Sequence, residues 1–322
     1  MPELHGVSAR LVSLAVLCRT DEPALGRTLA CAWASWQAVP AATRALELLV
    51  CLNGDPGDGR ALRDLRAFAA THDAEPALLD VDTAAPVTLP PATGPLLVAA
   101  LCTRRAGKAM AWNLLRRWAR GAVTVFMDAD VSFSPDTFGR LLDALDTHPQ
   151  AVLASARTTC AARRTWFERV MAVPYGVDFP NLSPQLYAAR SEGLPPGMPE
   201  NLLDPERWLE LTAGAGRIVR ARDARVTVRL PATLRDFFWQ RVRIEMGKVQ
   251  LASEHPHLAG RGTVQPGVAD VLRQLGPADV ARAGVYLTLR AVVHAVARRW
   301  YARGRTADVW RQPVSTKRWG QS

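Results

Sequence analysis

The sequence predicts an α/β protein: a mainly parallel central sheet with helices on both faces, followed by a helical extension at the C-terminal end. Three observations predict it. Short apolar runs alternate with amphipathic segments through residues 10 to 150, and glycine, proline and aspartate punctuate the joins. Polar residues gather just after the apolar runs rather than inside them. In an open parallel sheet that is where ligands bind, beyond the carboxyl ends of the strands.

The elements follow in order. "LVSLAVLC" (Leu11 to Cys18) reads as the first strand, and Pro23 marks the first turn of the helix "PALGRTLACAWASW". "LELLVCL" is the second strand, closed by the turn "NGDPGDG", and "RALRDLRAFAATH" is a helix. "ALLDVD" (Ala77 to Asp82) is a third, shorter strand and the proline-rich "APVTLPPATGP" a loop. "GKAMAWNLLRRWARG" is a helix ended by Gly121, and "VTVFM" is the fourth strand. Ser134 then caps "PDTFGRLLDAL", with Pro135 at its first position. After Gln150, "AVLASAR" reads as a strand, "RTWFERVMAVPYG" as a helix, and 174–199 as irregular. "PERWLELTAGAG" is a helix with a glycine stop, "RIVRARDARVTVRL" two short strands, and "TLRDFFWQRVRIEMGKVQL" a long amphipathic helix. A polar break precedes a last helix, Ala278 to Arg303.

Composition narrows the class. The 322 residues are 48% hydrophobic, enough for a packed core, and carry a formal net charge of +10. Only Lys108, Lys248 and Lys317 are lysines, so the basic side is nearly all arginine. That balance favours anionic partners such as nucleotides or phospholipid head groups. No nucleic-acid motif accompanies it, so nucleic acid is not an expected partner. Cys18, Cys31, Cys51, Cys102 and Cys160 are odd in number and lack C-x-x-C spacing, which excludes a disulfide framework and a zinc site. No leader pattern and no run of about 20 apolar residues is present. The chain reads as a cytoplasmic protein, with the inner face of the cell membrane as a further location.

Three apolar runs end in polar tips: "RTDE", "NGD" and "DAD". Asp128 and Asp130 lie two apart and share a face, so they can converge on one ion. Magnesium-type ions take one or two protein carboxylates and complete their shell with water and phosphates. Lys108, after Gly107 at a helix start, suits phosphate or is a solvated first-turn lysine. "RAGKAMA" is not a Walker A loop, and no G-x-G-x-x-G follows the first strand.

Together these pieces resemble the family 2 glycosyltransferases, which have the GT-A fold. The likeness spans residues 10 to 250, with a nucleotide-sugar-binding half (10–150), an acceptor half (151–250) and a helical extension (251–322). "CRTDE" stands where the family has its "xYNE"-like turn, bringing Thr20, Asp21 and Glu22 to the donor. "LNGD" puts Asn53 at an aspartate position that holds the nucleotide base. "GKAMAWNLL" matches "GKaxALNxG" through Lys108 and Asn113, and "VFMDADVSFSPDTF" matches the metal-binding strand end. The family's catalytic base opens a later helix. "MPENLLDPERWLEL" offers Glu206, Asp204 and Glu200 for that role, the register of "ERWL" favouring Glu206, though no intact "ED" pair is present. "QRVRI" matches "QxxRW" through Gln240 and Arg243, with Ile244 replacing the tryptophan.

The resemblance implies an inverting transferase dependent on a divalent cation, Mn2+ or Mg2+, held by Asp128 and Asp130. Its donor would be a UDP- or GDP-sugar and its acceptor a glycan or a lipid-linked hydroxyl. The alternative is a catalytically degenerate nucleotide-binding or scaffold protein on the same fold. The last helix has an apolar stripe (Val285, Leu289, Val292, Val296, Trp300) with arginines elsewhere, interrupted for spanning a bilayer by Arg290 and His294. It packs on the catalytic domain or contacts an anionic membrane surface.

Overall fold

A computed structural model describes residues 11–40, 45–54, 59–83, 87–91, 95–161, 163, 165–306 and 316. The tip of the "NGDPGDG" turn and most of the C-terminal "WRQPVSTKRWGQS" lie outside the described residues.

The first half alternates β1 (Leu11–Arg19), α1 (Leu25–Gln37), β2 (Ala45–Asn53), α2 (Arg60–Ala70), β3 (Ala77–Asp80), β4 (Leu96–Thr103), α3 (Lys108–Trp118) and β5 (Val123–Asp128). The second half holds β6 (Ser132–Phe133), α4 (Thr137–Thr147), β7 (Leu153–Cys160), α5 (Trp166–Met171), β8 (Leu186–Arg190), α6 (Pro205–Ala213) and β9 (Ile218–Val228). It ends in α7 (Leu234–Glu254), α8 (Val268–Gln274) and α9 (Pro277–Tyr301). The strands form one mostly parallel sheet in the order β3-β4-β2-β1-β5-β8-β7-β9-β6. β3, β4, β2, β1 and β5 run parallel, and β8 is antiparallel to β5 and β7.

Alternation along the strands explains the layering. In β5, Val123, Val125 and Met127 face one core with α1, α2 and α4, while Phe126 faces the other with α3 and α6. On that second face Trp112, Phe126 and Tyr187 stack with centroids 5.4 and 5.3 Å apart, and Trp112 Nε1 donates to the Tyr187 hydroxyl at 2.8 Å. The start of β5 is fixed by buried Glu47, which accepts from Ser13 Oγ (2.6 Å), Arg120 N (3.0 Å) and Arg120 Nε (2.6 Å).

Several expectations change. β4 is an additional strand. Its "LLVAALCT" is an uninterrupted apolar run that period alone cannot assign, and it sits centrally between β2 and β3. β5 is therefore fifth in the chain. "RIVRARDARVTVRL" forms one strand, whose pairing with β7 slips from Ala156–Ala221 to Arg157–Arg225 across a bulge. Helix α4 starts later than expected: Asp136 holds the cap position and Ser134 Oγ bonds its carboxylate. Pro23 lies just outside α1, which starts at Leu25. The boundary at residue 250 falls inside α7, which packs along α9.

That packing contains a third core, with Val170, Phe237, Val242, Met246, Tyr286, Val293 and Ala297 buried. In its midst Glu245 is 1% exposed. It accepts from Lys248 Nζ (2.9 Å), Arg290 Nε (3.2 Å) and His294 Nδ1 (3.1 Å), and Arg241 Nε stands 3.4 Å away. Burial alone would push this carboxyl up, but Lys248, Arg241 and Arg290 outweigh it and hold it at about 2.

Candidate active site

The parallel strands end together, and their ends are stitched. Thr20 N donates to Asn53 O at 3.3 Å and Gly54 N to Thr103 O at 3.0 Å. Asn53 is buried at the tip of β2, next to β1 in the sheet. Asp21 pairs with Arg19 on the exposed rim (2.9 Å), whereas Glu22 is buried and accepts from Ala24 N at 3.1 Å. Glu22 thus shapes the turn out of β1.

Asp128 closes β5 on the face that carries Phe126. Gly107, at φ +147°, a region that favours glycine, delivers Lys108 to the start of α3. The Lys108 ammonium meets Asp128 Oδ1 at 2.8 Å, Glu206 Oε1 at 2.9 Å and Pro184 O at 2.9 Å. Burial pulls this ammonium's pKa down, but Asp128 and Glu206 outweigh it, so it lies above the ordinary lysine value. For Asp128, burial and the neighbouring carboxylates of Asp130 and Glu206 outweigh Lys108, and its pKa is raised. Its side chain keeps 23% exposure at the strand end. Tyr187, at the floor, is driven well above the usual phenol value by burial and then by Glu206 and Asp128.

Glu206 reaches this point because the chain before it is held from two sides. Asn113 on α3 clasps Met198, its Nδ2 donating to Met198 O and its Oδ1 accepting from Met198 N, both at 2.8 Å. Gln250 on α7 accepts from Leu203 N (3.0 Å) and donates to Asn201 O (3.1 Å). Asp204 then caps α6 by accepting from Arg207 N (3.2 Å), and Glu206 follows in the first turn. Burial raises the Asp204 pKa against the hydrogen bond from Arg207 N and the charges of Lys248, Arg243 and Lys108. Arg243 of α7 therefore faces the start of α6, and Gln240 lies one turn before it. Glu200 is elsewhere, in an exposed pair with Arg105.

Gly247 makes this clasp possible. A Cβ there would sit 2.6 Å from Asp204 Cβ and 3.0 Å from Asp204 N. Gly247→Ala is expected to destabilise the fold by about 1–3 kcal/mol, read by urea unfolding, because the turn before Glu206 must shift.

Of the sequence candidates, Lys108, Asp128 and Glu206 meet directly. Asp130 is close enough to act electrostatically on Asp128, and Asn113 positions backbone. Sequence reasoning missed Asp82, past β3, whose carboxylate accepts from Thr103 Oγ1 and Arg104 N, both at 2.7 Å. Those bonds, Arg104 N first, lower its pKa. The strand-end rule that selected Asp128 also applies to it. Among the described residues no group of three or more His, Cys, Asp or Glu stands together to hold a metal.

The sheet order thus brings a carboxylate at the β5 tip and a carboxylate at the start of α6 onto one lysine. Residues 97–195 match the model of glycosyl transferase family 2. That match spans about a third of the chain, and the fold is similar to that of a solved glycosyltransferase. It is similar to the mannosyltransferase PcManGT from Pyrobaculum calidifontis, solved in complex with GDP-Man and Mn2+. The identity is 20%, with 94% of this chain and 81% of that one covered and a TM-score of 0.55. It also aligns with S. aureus TarS in complex with UDP (12% identity, 91% of each chain, TM-score 0.47). A third alignment is with glucosyl-3-phosphoglycerate synthase from Mycobacterium tuberculosis (17% identity, 76% and 79% covered, TM-score 0.45). No curated protein sequence matches the chain.

Proposed function

We propose that this protein is a metal-dependent, inverting hexosyltransferase that moves a sugar from a nucleotide-diphosphate donor, a UDP- or GDP-sugar, to a hydroxyl of a glycan or lipid-linked acceptor in the cytoplasm. The observation that carries it is the Lys108 ammonium, which joins Asp128 at the end of a donor-half strand to Glu206 at the start of an acceptor-half helix.

The donor set fits a divalent cation. Asp128 and Asp130 supply hard oxygen donors, both partly exposed at the strand end. A pair rather than a cage suits an ion that shares its shell with phosphates. When bound there, Mn2+ or Mg2+ would offset the charge that builds on the departing diphosphate.

The remaining steps belong to the chain. Asn53 would hold the nucleotide base, and the β1 turn (Thr20 to Glu22) would contact the nucleotide sugar. Gln240 and Arg243 of α7 would meet the donor diphosphate, Arg243 being near enough to act electrostatically on Asp204. Glu206 takes the proton from the acceptor hydroxyl. That oxygen forms its bond to the anomeric carbon as the bond to the diphosphate breaks, the electron pair leaving with the nucleoside diphosphate. A single displacement inverts the anomeric centre. The presence of Mn2+ beside GDP-Man in the P. calidifontis enzyme supports the donor class.

Calorimetric titration with UDP and GDP tests the donor half. Mn2+ or Mg2+ is expected to tighten nucleoside-diphosphate binding by about tenfold or more, and Asp130→Ala to abolish that gain. Binding indifferent to metal would overturn the proposal. Metal-dependent binding without transfer to any acceptor would favour the degenerate binding protein.

A further inference from the structure

The C-terminal helix α9 presents two different sides. Tyr286, Val293 and Ala297 are buried against the third core, so one side is fully used. The opposite side carries Val280, Val285, Leu287 and Val292, with Leu287 56% and Val292 58% exposed. Small exposed residues fill the positions between them.

The charges are sorted with equal consistency. Between Ala283 and Ala297 the only titratable side chains apart from Tyr286 are Arg290 and His294, and both turn inward onto Glu245. Arg282 is bonded to Asp279 at 2.7 Å. The interruptions seen in the sequence therefore leave the outer face uncharged for about three turns. Beyond it Arg298, Arg299, Arg303 and Arg305 are exposed, and Arg305 lies 4.5 Å over the Trp300 ring. No acidic residue occurs from Val280 to Thr306.

The most apolar 18 residues of α9 have a mean hydropathy of 1.3, and the helix is long and apolar enough to cross a membrane by length and composition. Its packing along α7 argues for the other orientation. A helix anchored on one side through three buried residues can offer only its outer side to lipid, lying flat. We propose that α9 docks the protein on an anionic membrane surface, its valine and leucine side chains entering the headgroup boundary while the terminal arginines meet acidic lipid head groups. An uncharged face followed by the exposed Arg298, Arg299 and Arg303 is complementary to such a surface.

Vesicle co-sedimentation of the full chain tests this without donor or acceptor, so its result is independent of the transfer reaction. The protein is expected to sediment with phosphatidylcholine–phosphatidylglycerol vesicles and not with phosphatidylcholine alone. Leu287→Glu/Val292→Glu changes two exposed positions and is expected to weaken binding by about tenfold or more. Arg298→Glu/Arg299→Glu is expected to do the same, and high salt to mimic it in the parent protein. Circular dichroism of each variant checks that the helix remains. Failure of the parent protein to bind acidic vesicles overturns the proposal, as does binding unchanged in both variants. Concentration-dependent dimerisation abolished by Leu287→Glu/Val292→Glu, without vesicle binding, would assign the face to a second copy of the chain and also overturn it.

Discussion

Glu206→Gln is expected to lower turnover about a thousandfold while leaving metal-assisted nucleoside-diphosphate binding in place. Glutamine keeps the length of the side chain and an oxygen that Lys108 can still reach, so the cleft geometry survives. It cannot accept the acceptor's proton at neutral pH. Two controls separate this role from structure. Asp204→Asn retains a helix-capping side chain and is expected to stay active. Glu200→Gln alters only an exposed pair with Arg105 and is expected to be nearly silent. A thousandfold loss in Asp204→Asn with Glu206→Gln active would move the base two residues earlier. The measurement is steady-state release of nucleoside diphosphate, paired with calorimetric binding.

Glu245→Gln is expected to destabilise the protein by about 1–3 kcal/mol, less than a fully buried pair because its partners are partly hydrated, read by urea unfolding at neutral pH. The amide cannot neutralise Lys248, Arg241 and Arg290, which would remain crowded together, although Lys248 and Arg290 keep 40% exposure and so stay partly hydrated. The sign of the pH dependence follows from the lowered pKa. A carboxyl near 2 in the folded state, against an ordinary 4.5, stabilises fully above about 4.5 and loses that contribution as pH falls toward 2. The parent protein should therefore lose stability across that window, and Glu245→Gln should lose much less. Equal acid sensitivity in the two would remove Glu245 as the cause.

The donor side of the site was readable because its signals are local. Apolar runs ending in "RTDE", "LNGD" and "DAD" are each contained in a few residues, and parity alone puts Asp128 on the face of Phe126. β4 was hidden because seven apolar residues after a proline-rich loop suit a strand or a buried helix equally. Glu245 was hidden for another reason: Arg290 and His294 reach it from 45 and 49 residues away, and in sequence they look like polar breaks in an apolar helix. The contact between Glu206 and Lys108 likewise needed three dimensions. Glu200, Asp204 and Glu206 are all acids near a helix start, and only the clasps from Asn113 and Gln250 bring Glu206 to Lys108.

An ammonium has three hydrogens to donate. In Lys108 all three have takers: a backbone carbonyl, the Asp128 carboxylate and the Glu206 carboxylate. The side chain is therefore saturated, and its valence makes it an exchanger. A phosphate oxygen can join it only as one of these oxygens leaves. Under the proposed function, a donor phosphate reaching Lys108 would free a carboxylate in the same event, and a departing nucleotide would run that exchange in reverse.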